Sequence, residues 1–250
     1  MGTGEGFDEF WRLGKYKYLF YRYVVEQYCK QKMVEGHLIL DAGCGGRGGT
    51  LSEIVDGVDV VGIDVNRSNL QKNLNKEGIF EHDMNYVLAS LTALPFRDET
   101  FDIIVSVDVL EHISTNQKAI AETARVCKVG GNFIGSTSNL LNPIFFFDSY
   151  GPKTICQLLE KRFAGEKHYE RHTRMPINTL IQSLFSNKFD VIEMKLCGFP
   201  PFQPWLYHYK HYNKQAPWYS EVWIIFDKIT NTKPFNYLKE MIVFYTIKHA

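Results

Sequence analysis

The sequence predicts an α/β fold built on a doubly wound, parallel sheet. Residues 38–50 run from a short apolar strand through Asp41 into a glycine-rich loop, Leu-Ile-Leu-Asp-Ala-Gly-Cys-Gly-Gly-Arg-Gly-Gly-Thr. That order presents a nucleotide-like cofactor at the carboxyl edge of a sheet. Short β-branched runs then alternate with stretches of helical periodicity, the pattern of successive strand–helix–strand units. Finally, Ile103-Ile-Val-Ser-Val107 is almost unbroken in its apolar, β-branched character. A strand of that kind suits the centre of a sheet covered on both faces.

In chain order, residues 7–33 read as a helix, because Phe20, Tyr23, Val24 and Tyr28 recur at three- and four-residue steps and make one apolar face. Residues 37–42 form the first strand, Thr50–Val55 a short helix, 58–63 the second strand and Arg67–Leu74 another helix. Tyr86–Ala89 is the third strand and Ile103–Val107 the fourth. Ile113–Val126 is helical, with Ile120 and Ala124 one turn apart. Lys128–Gly131 reads as a turn and Asn132–Ser136 as the fifth strand. Thr179–Phe185 is a helix entered after Pro176, a residue suited to a helix start. Phe189–Leu196 and Met241–Lys248 are the last strands. No internal repeat or flexible linker divides the chain, so residues 1–250 are expected to be one domain. Within it, 1–35 is a helical cap, 36–140 the cofactor-binding core, and 141–178 and 198–238 insertions over the acceptor side.

The chain has 250 residues, 45% hydrophobic and 14% aromatic. A chain of this length buries roughly three-quarters of its unfolded surface, enough for one well-cored domain. Lys plus Arg and Asp plus Glu both number 28, which argues against a general electrostatic grip on nucleic acid. The five cysteines are scattered and include no Cys-x-x-Cys pair. They read as reduced thiols and point to the cytoplasm. The start of the chain is polar and acidic before Phe10, unlike a secretory signal. No apolar run reaches the ~20 residues of a membrane span.

The chemistry-bearing residues begin at the first loop. Gly43 and Gly45 permit tight turning and close backbone approach, and Asp64 ends the second strand, where a carboxylate accepts hydrogen bonds from ribose hydroxyls. Gly43-x-Gly45-x-x-Gly48, with Asp64 21 residues after Gly43, also satisfies the dinucleotide fingerprint. Spacing alone therefore leaves NAD and other adenosine cofactors open.

Further blocks lie downstream: Ala93-Leu-Pro-Phe96, Phe101-Asp102, Val107-Asp-Val-Leu-Glu-His-Ile113, Arg125-Val-Cys-Lys-Val-Gly-Gly131 and Ser136-Thr-Ser-Asn139. With Asp41 two residues before the first glycine, they resemble, in this order, the class I S-adenosylmethionine-dependent methyltransferases, in particular the small-molecule branch that includes ubiquinone-pathway enzymes. The resemblance covers about residues 36–140, weakens over 141–197 and is poor over 198–240. It implies a Rossmann-like sheet of seven strands, the last antiparallel, and S-adenosylmethionine as cofactor. It also implies in-line methyl transfer to a small, partly apolar acceptor. Asp41, Gly43 and Gly45 match the loop that holds the methionine moiety, and Asp64 matches the ribose-binding acid. Ser90 stands where the family usually carries an acid for the adenine amino group, and Leu91 would pack on the adenine face. Val107 and Asp108 match the strand end near the sulfonium. Arg47 stands where a third loop glycine is frequent.

The acceptor side is less marked. His112 is the candidate base or hydrogen-bonding residue. Asp108-Val-Leu-Glu111-His112 resembles a Glu-x-x-Glu-His cluster that some ubiquinone-pathway enzymes use for a divalent cation, with aspartate replacing the first glutamate; no metal ligand is assigned here. His168 and His172, four residues apart among Lys167, Glu170 and Arg171, read as a solvated helix face rather than a metal site. Cys44 reads as a small buried filler. The aromatic tract 199–226 packs as a lid, lines an acceptor pocket, or meets a second copy in a homodimer. Two other functions stay open: a non-catalytic S-adenosylmethionine-binding sensor or scaffold, and an NAD-dependent oxidoreductase.

Overall fold

The computed structural model describes residues 20–46, 58–75, 84–163, 172–197, 237, 239 and 241–250. The expected helix over Thr50–Val55, Arg47, Gly48, His168 and the aromatic tract lie outside the described residues, as does the helical cap before Phe20. A seven-stranded sheet runs in the order β3-β2-β1-β4-β5-β7-β6. Its strands are β1 (Leu38–Ala42), β2 (Asp59–Asp64), β3 (Asn85–Leu88), β4 (Phe101–Val107), β5 (Cys127–Ser138), β6 (Phe189–Cys197) and β7 (Met241–Lys248). The pairs from β3 to β5 are parallel, whereas β7 runs antiparallel to both β5 and β6. The chain crosses over between β1 and β4, so the carboxyl ends of those two strands flank the switch point where such sheets take a ligand.

Side chains on successive strand residues point to opposite faces, and both faces are covered here. Ile39, Ile103, Val105, Ile134 and Val243 face one layer, together with Val25, Tyr28 and Cys29 of α1 (Phe20–Lys32). Leu40, Ile104, Phe133, Ile242 and Phe244 face the other. There they meet α3 (Asn116–Val126) through Ala119, Ile120 and Ala124, and α6 (Ile177–Ser186) through Leu180 and Leu184. The helical face read from Ile120 and Ala124 is thus the one that packs. Tyr28 stacks on Tyr245 with ring centroids 5.6 Å apart, which seats α1 over β7. The remaining helices are α2 (Arg67–Leu74), capped by Asn66 accepting from the Ser68 amide, α4 (Pro143–Tyr150) and α5 (Lys153–Phe163). None of the described helices is long and apolar enough to cross a membrane.

Two elements differ from the sequence reading. Ile113 is not helical: a 3-10 turn over Leu110–His112 precedes α3, which begins at Asn116. Residues 128–131 do not separate two elements but form a bulge within β5. Phe101 pairs with Cys127 and Ile103 with Asn132, so the four residues between them are accommodated opposite Asp102. Gly130 takes a φ of +79° there, and a Cβ on Gly131 would stand 2.9 Å from the Asp102 carbonyl oxygen. The bulge brings Lys128 Nζ to 2.8 Å from both carboxylate oxygens of Asp102, which also accepts from the Leu38 amide at 3.0 Å. Burial pushes Asp102 upward, but these donors outweigh it and hold its carboxyl below the usual range.

The loop before β4 is clamped to α3 by Arg125. Its guanidinium donates to the Leu94 and Phe96 carbonyls at 2.9 and 2.8 Å and pairs with Glu122 and Asp98. Glu122 in turn accepts from the Leu94 amide at 2.9 Å. Arg125→Ala should lower the unfolding free energy by about 1–3 kcal/mol, because it strands partly buried carbonyls and a carboxylate. Urea unfolding monitored by circular dichroism measures it; an unchanged midpoint would show that the clamp adds nothing to stability.

Candidate cofactor and acceptor site

The turn after β1 is built by backbone hydrogen bonds from one strand end to the next. The Gly43 and Cys44 amides donate to the Ile63 carbonyl at 2.8 and 2.9 Å, and the Gly45 amide donates to Asp64 Oδ2 at 2.9 Å. Gly43 and Gly45 take φ values of +87° and +65°, the left-handed region that glycine enters without penalty. At Gly43 a Cβ would also lie 2.3 Å from Val109 Cγ2. The turn therefore closes directly onto the segment that follows β4. At Gly45, among the described residues, nothing stands within 4 Å of where a Cβ would be. The loop thus packs against Val109 at its first glycine and meets no described residue at its second.

Asp41 is 2% exposed at the end of β1. Asp64 Oδ1 accepts from the Asn66 amide at 2.7 Å and from Asn69 Nδ2 at 3.4 Å. A carboxylate offers about four acceptor sites, so Asp64 ties the loop to α2 and keeps capacity for a ribose hydroxyl. Asn73 secures the loop from α2 by donating to the Gly45 carbonyl at 2.7 Å. Cys44 is buried, and its thiol is pushed well up, first by burial and then by the charges of Asp41 and Asp64. It is a filler, as its residue type suggested. Gly62 makes room for it, since a Cβ there would approach the Cys44 sulfur to 3.1 Å and the Tyr86 ring to 3.0 Å. Burial, followed by Cys44 and Asp41, pushes the Tyr86 phenol up to about 12.

Ser90 sits in a tight turn beyond β3. Its hydroxyl lies 2.8 Å from the Thr92 hydroxyl and accepts from the Thr92 amide at 3.2 Å. Leu91 is 4% exposed and packs in the core layer with Ile63 and Leu94. Val107 is buried at the end of β4, paired in register with Ser136.

Beyond Val107, Asp108 adopts a φ of +57°, a conformation aspartate tolerates better than most residues. That bend turns the chain into the 3-10 turn carrying Glu111 and His112. Ser136 Oγ donates to Asp108 Oδ1 at 3.2 Å, while Thr137 and Ser138 donate to the two Glu111 carboxylate oxygens at 3.2 and 2.8 Å. The Ser-Thr-Ser run closing β5 thus holds the two acids that follow β4. Glu111 is 4% exposed whereas His112 is exposed. Among the described residues no three His, Cys, Asp or Glu side chains form a group that would hold a metal. Burial, then the charge of Asp108, pushes Glu111 up to about 7.

His172, read from sequence as part of a solvated helix face, lies instead in a non-helical segment before α6. Its ring stands edge-on to His112 with centroids 4.6 Å apart. No local signal in the sequence announces that contact, which joins residues sixty apart.

Two variants probe this site. Gly43→Ala must place a Cβ into Val109 at positive φ, and should destabilise the fold by about 1–3 kcal/mol; thermal unfolding measures it. For Glu111, the folded-state value lies above the ordinary 4.5. The folded state therefore binds the extra proton, and that contribution is present at low pH and lost as pH rises through about 7. Glu111→Gln should flatten the fall in melting temperature between pH 5 and 8, and an undiminished fall would show that another group titrates.

Residues 40–135 match the family model described as a methyltransferase domain. The ubiquinone biosynthesis O-methyltransferase of Alkalilimnicola ehrlichii is 34% identical over 131 residues, 51% of this chain and 52% of its own length. The chain thus spans about half the length of such curated relatives. Among solved structures, an S-adenosylmethionine-dependent methyltransferase from Mesorhizobium loti aligns with a TM-score of 0.57 at 16% identity, covering 90% of this chain and 98% of that one. A geranyl diphosphate methyltransferase in complex with S-adenosylmethionine aligns with a TM-score of 0.57 at 14% identity, covering 90% and 84%. At such identities these two show a shared fold. Sheet order, glycine turn and family match agree: residues 40–135 match a methyltransferase domain, and the chain has the fold of the S-adenosylmethionine-dependent methyltransferases and is similar over about half its length to the ubiquinone biosynthesis O-methyltransferases.

Proposed function

We propose that the chain transfers the methyl group of S-adenosylmethionine to a small, partly apolar acceptor, most simply at a hydroxyl oxygen. The observation that carries this reading is the carboxyl edge of the sheet. A glycine turn lies there between β1 and β4, and Asp41, Asp64, Asp108 and Glu111 all stand at that edge. A ring of carboxylates suits a cofactor that carries a cationic sulfonium and an ammonium group, and opposes the pyrophosphate of a dinucleotide. The antiparallel β7 between β5 and β6 also departs from the all-parallel order of dinucleotide-binding sheets.

In this reading, the turn at Gly43–Gly45 and the buried Asp41 hold the methionine end of the cofactor. Asp64 takes the ribose, and Ser90 and Leu91 border the adenine. Val107 and Asp108 lie beside the sulfonium. The cofactor supplies an activated methyl with a neutral leaving group, so the protein's work is alignment and exclusion of water. His112 faces the acceptor. The ubiquinone O-methyltransferases to which the chain is similar act on oxygen by name, which favours a hydroxyl acceptor. We read residues 1–250 as one domain, with 141–178 and 198–238 shaping the acceptor pocket. We place the protein in the cytoplasm, acting on a small molecule rather than nucleic acid.

A fluorescence titration should show S-adenosylhomocysteine binding and no saturable binding of NADH; the reverse preference would replace this reading with an oxidoreductase. Asp64→Ala removes the ribose acceptor together with the partner of the Gly45 amide. It should weaken S-adenosylhomocysteine at least tenfold, about 1.4 kcal/mol, by isothermal titration. Undiminished affinity would remove Asp64 from the site.

A further inference from the structure

His172, Asp148 and Arg174 form a connected group beside His112 that the cofactor turn does not use. The Thr173 amide donates to the Glu111 carbonyl at 2.7 Å, and Asn116 Nδ2 donates to the Thr173 carbonyl at 3.3 Å. These bonds fix the 172–174 segment against the turn after β4. His172 Nδ1 then lies 3.3 Å from Asp148 Oδ2 on α4. The same carboxylate oxygen takes Nη1 of Arg174, whose side chain is 4% exposed. The Arg174 guanidinium also lies over the Phe145 ring, 4.4 Å from its centroid, and reaches Ser149 Oγ at 3.2 Å and the Phe145 carbonyl at 3.4 Å. Asp148 is therefore held on one side by a buried cation and faces an imidazole on the other. A histidine on a solvated face needs no such support.

We propose that His172, oriented by Asp148, is the residue that takes the proton of a hydroxyl acceptor during methyl transfer, with His112 beside it as a positioning residue. This rests on the methyltransferase reading and adds to it a base and a class of acceptor. The location follows from contacts already described. Val109 closes on Gly43, the His112 amide donates to the Val109 carbonyl at 3.0 Å, and the His172 ring meets His112. The imidazole pair thus stands one turn from the cofactor loop.

The chemistry follows from the tautomer. With Nδ1–H donated to Asp148, the other ring nitrogen, Nε2, is unprotonated and accepts a proton. As the acceptor oxygen forms its bond to the methyl carbon, the carbon–sulfur bond breaks and its electron pair goes to sulfur, giving the neutral thioether. The hydroxyl proton passes to His172 Nε2, and the imidazolium is stabilised by Asp148, the arrangement of base and orienting carboxylate used widely in proton transfer. Among the described residues, the ionisable groups around His172 are Asp148 from α4, Arg174 from its own segment, and His112 with Glu111 and Asp108 from the turn after β4. Arg174 pairs with the same Asp148 oxygen that faces His172, and in the proposal Asp148 orients the imidazole.

The test uses the full chain saturated with S-adenosylhomocysteine and labelled with 15N at histidine. Failure of wild type to bind S-adenosylhomocysteine would defeat the methyltransferase reading itself. With binding established, long-range 1H–15N spectra should show neutral His172 protonated on Nδ1, and Asp148→Ala should shift it toward the Nε2–H form. His172→Gln should lower methyl transfer from labelled S-adenosylmethionine to catechol, the probe acceptor, by 100-fold or more while S-adenosylhomocysteine affinity stays unchanged. Added imidazole should restore part of the rate in His172→Ala, which a purely structural role would not allow. An Nε2–H tautomer in wild type, a tautomer indifferent to Asp148→Ala, or a His172→Gln rate equal to wild type would each overturn the proposal. If wild type does not accept catechol, the tautomer result decides alone.

Discussion

The turn at Gly43 joins three strand ends, and the site depends on it. The Gly43 and Cys44 amides bond to the end of β2, the Gly45 amide bonds to Asp64, and a Cβ at Gly43 would stand 2.3 Å from Val109 Cγ2 beyond β4. A side chain at residue 43 would separate β1 from the β4 turn by the thickness of a methyl group. Because that turn carries Asp108, Glu111 and His112, their position relative to the cofactor loop is set by the absence of one Cβ. Burial of the sheet on both faces makes the strands rigid enough for such a short-range constraint to matter.

A second layer of order supports the first. Ser136, Thr137 and Ser138 close β5 with three hydroxyls aimed at the two acids after β4. A buried carboxylate without donors would be expensive to keep; with two hydroxyl donors Glu111 remains inside, and its raised pKa records what burial still costs. Asn139 extends the support by donating to the carbonyls of Tyr237 and Lys239 at 2.8 and 2.7 Å, which fixes the approach to β7. The polar end of β5 is therefore a scaffold for the turn after β4.

Electrostatics separates the two halves of the site. Around the loop the fixed groups are carboxylates, which suits the cationic cofactor of the proposed function. On the side of α4 a buried cation, Arg174, stands behind Asp148 and the histidine pair. In the proposed reaction, a methyl leaving a sulfonium would pass from the acidic half toward the imidazoles.

The amino-acid sequence by itself determined the strands and the cofactor loop. β1, β2 and β4 are mostly apolar runs, their alternation with helices requires parallel pairing, and the two loop positions at positive φ, 43 and 45, are glycines. These are local properties, legible because burial on both faces and backbone sterics act residue by residue. Tertiary structure decided the rest. The Lys128–Gly131 segment reads as a turn but is a bulge, because Lys128 finds Asp102 across the sheet. Glu111 reads as an ordinary acid until the hydroxyls of β5 enclose it. His172 reads as surface until the segment bonds to Glu111 and the ring meets His112 and Asp148. Each of these depends on a partner 24 or more residues away, and no pattern within a helix turn or a strand pleat carries that information.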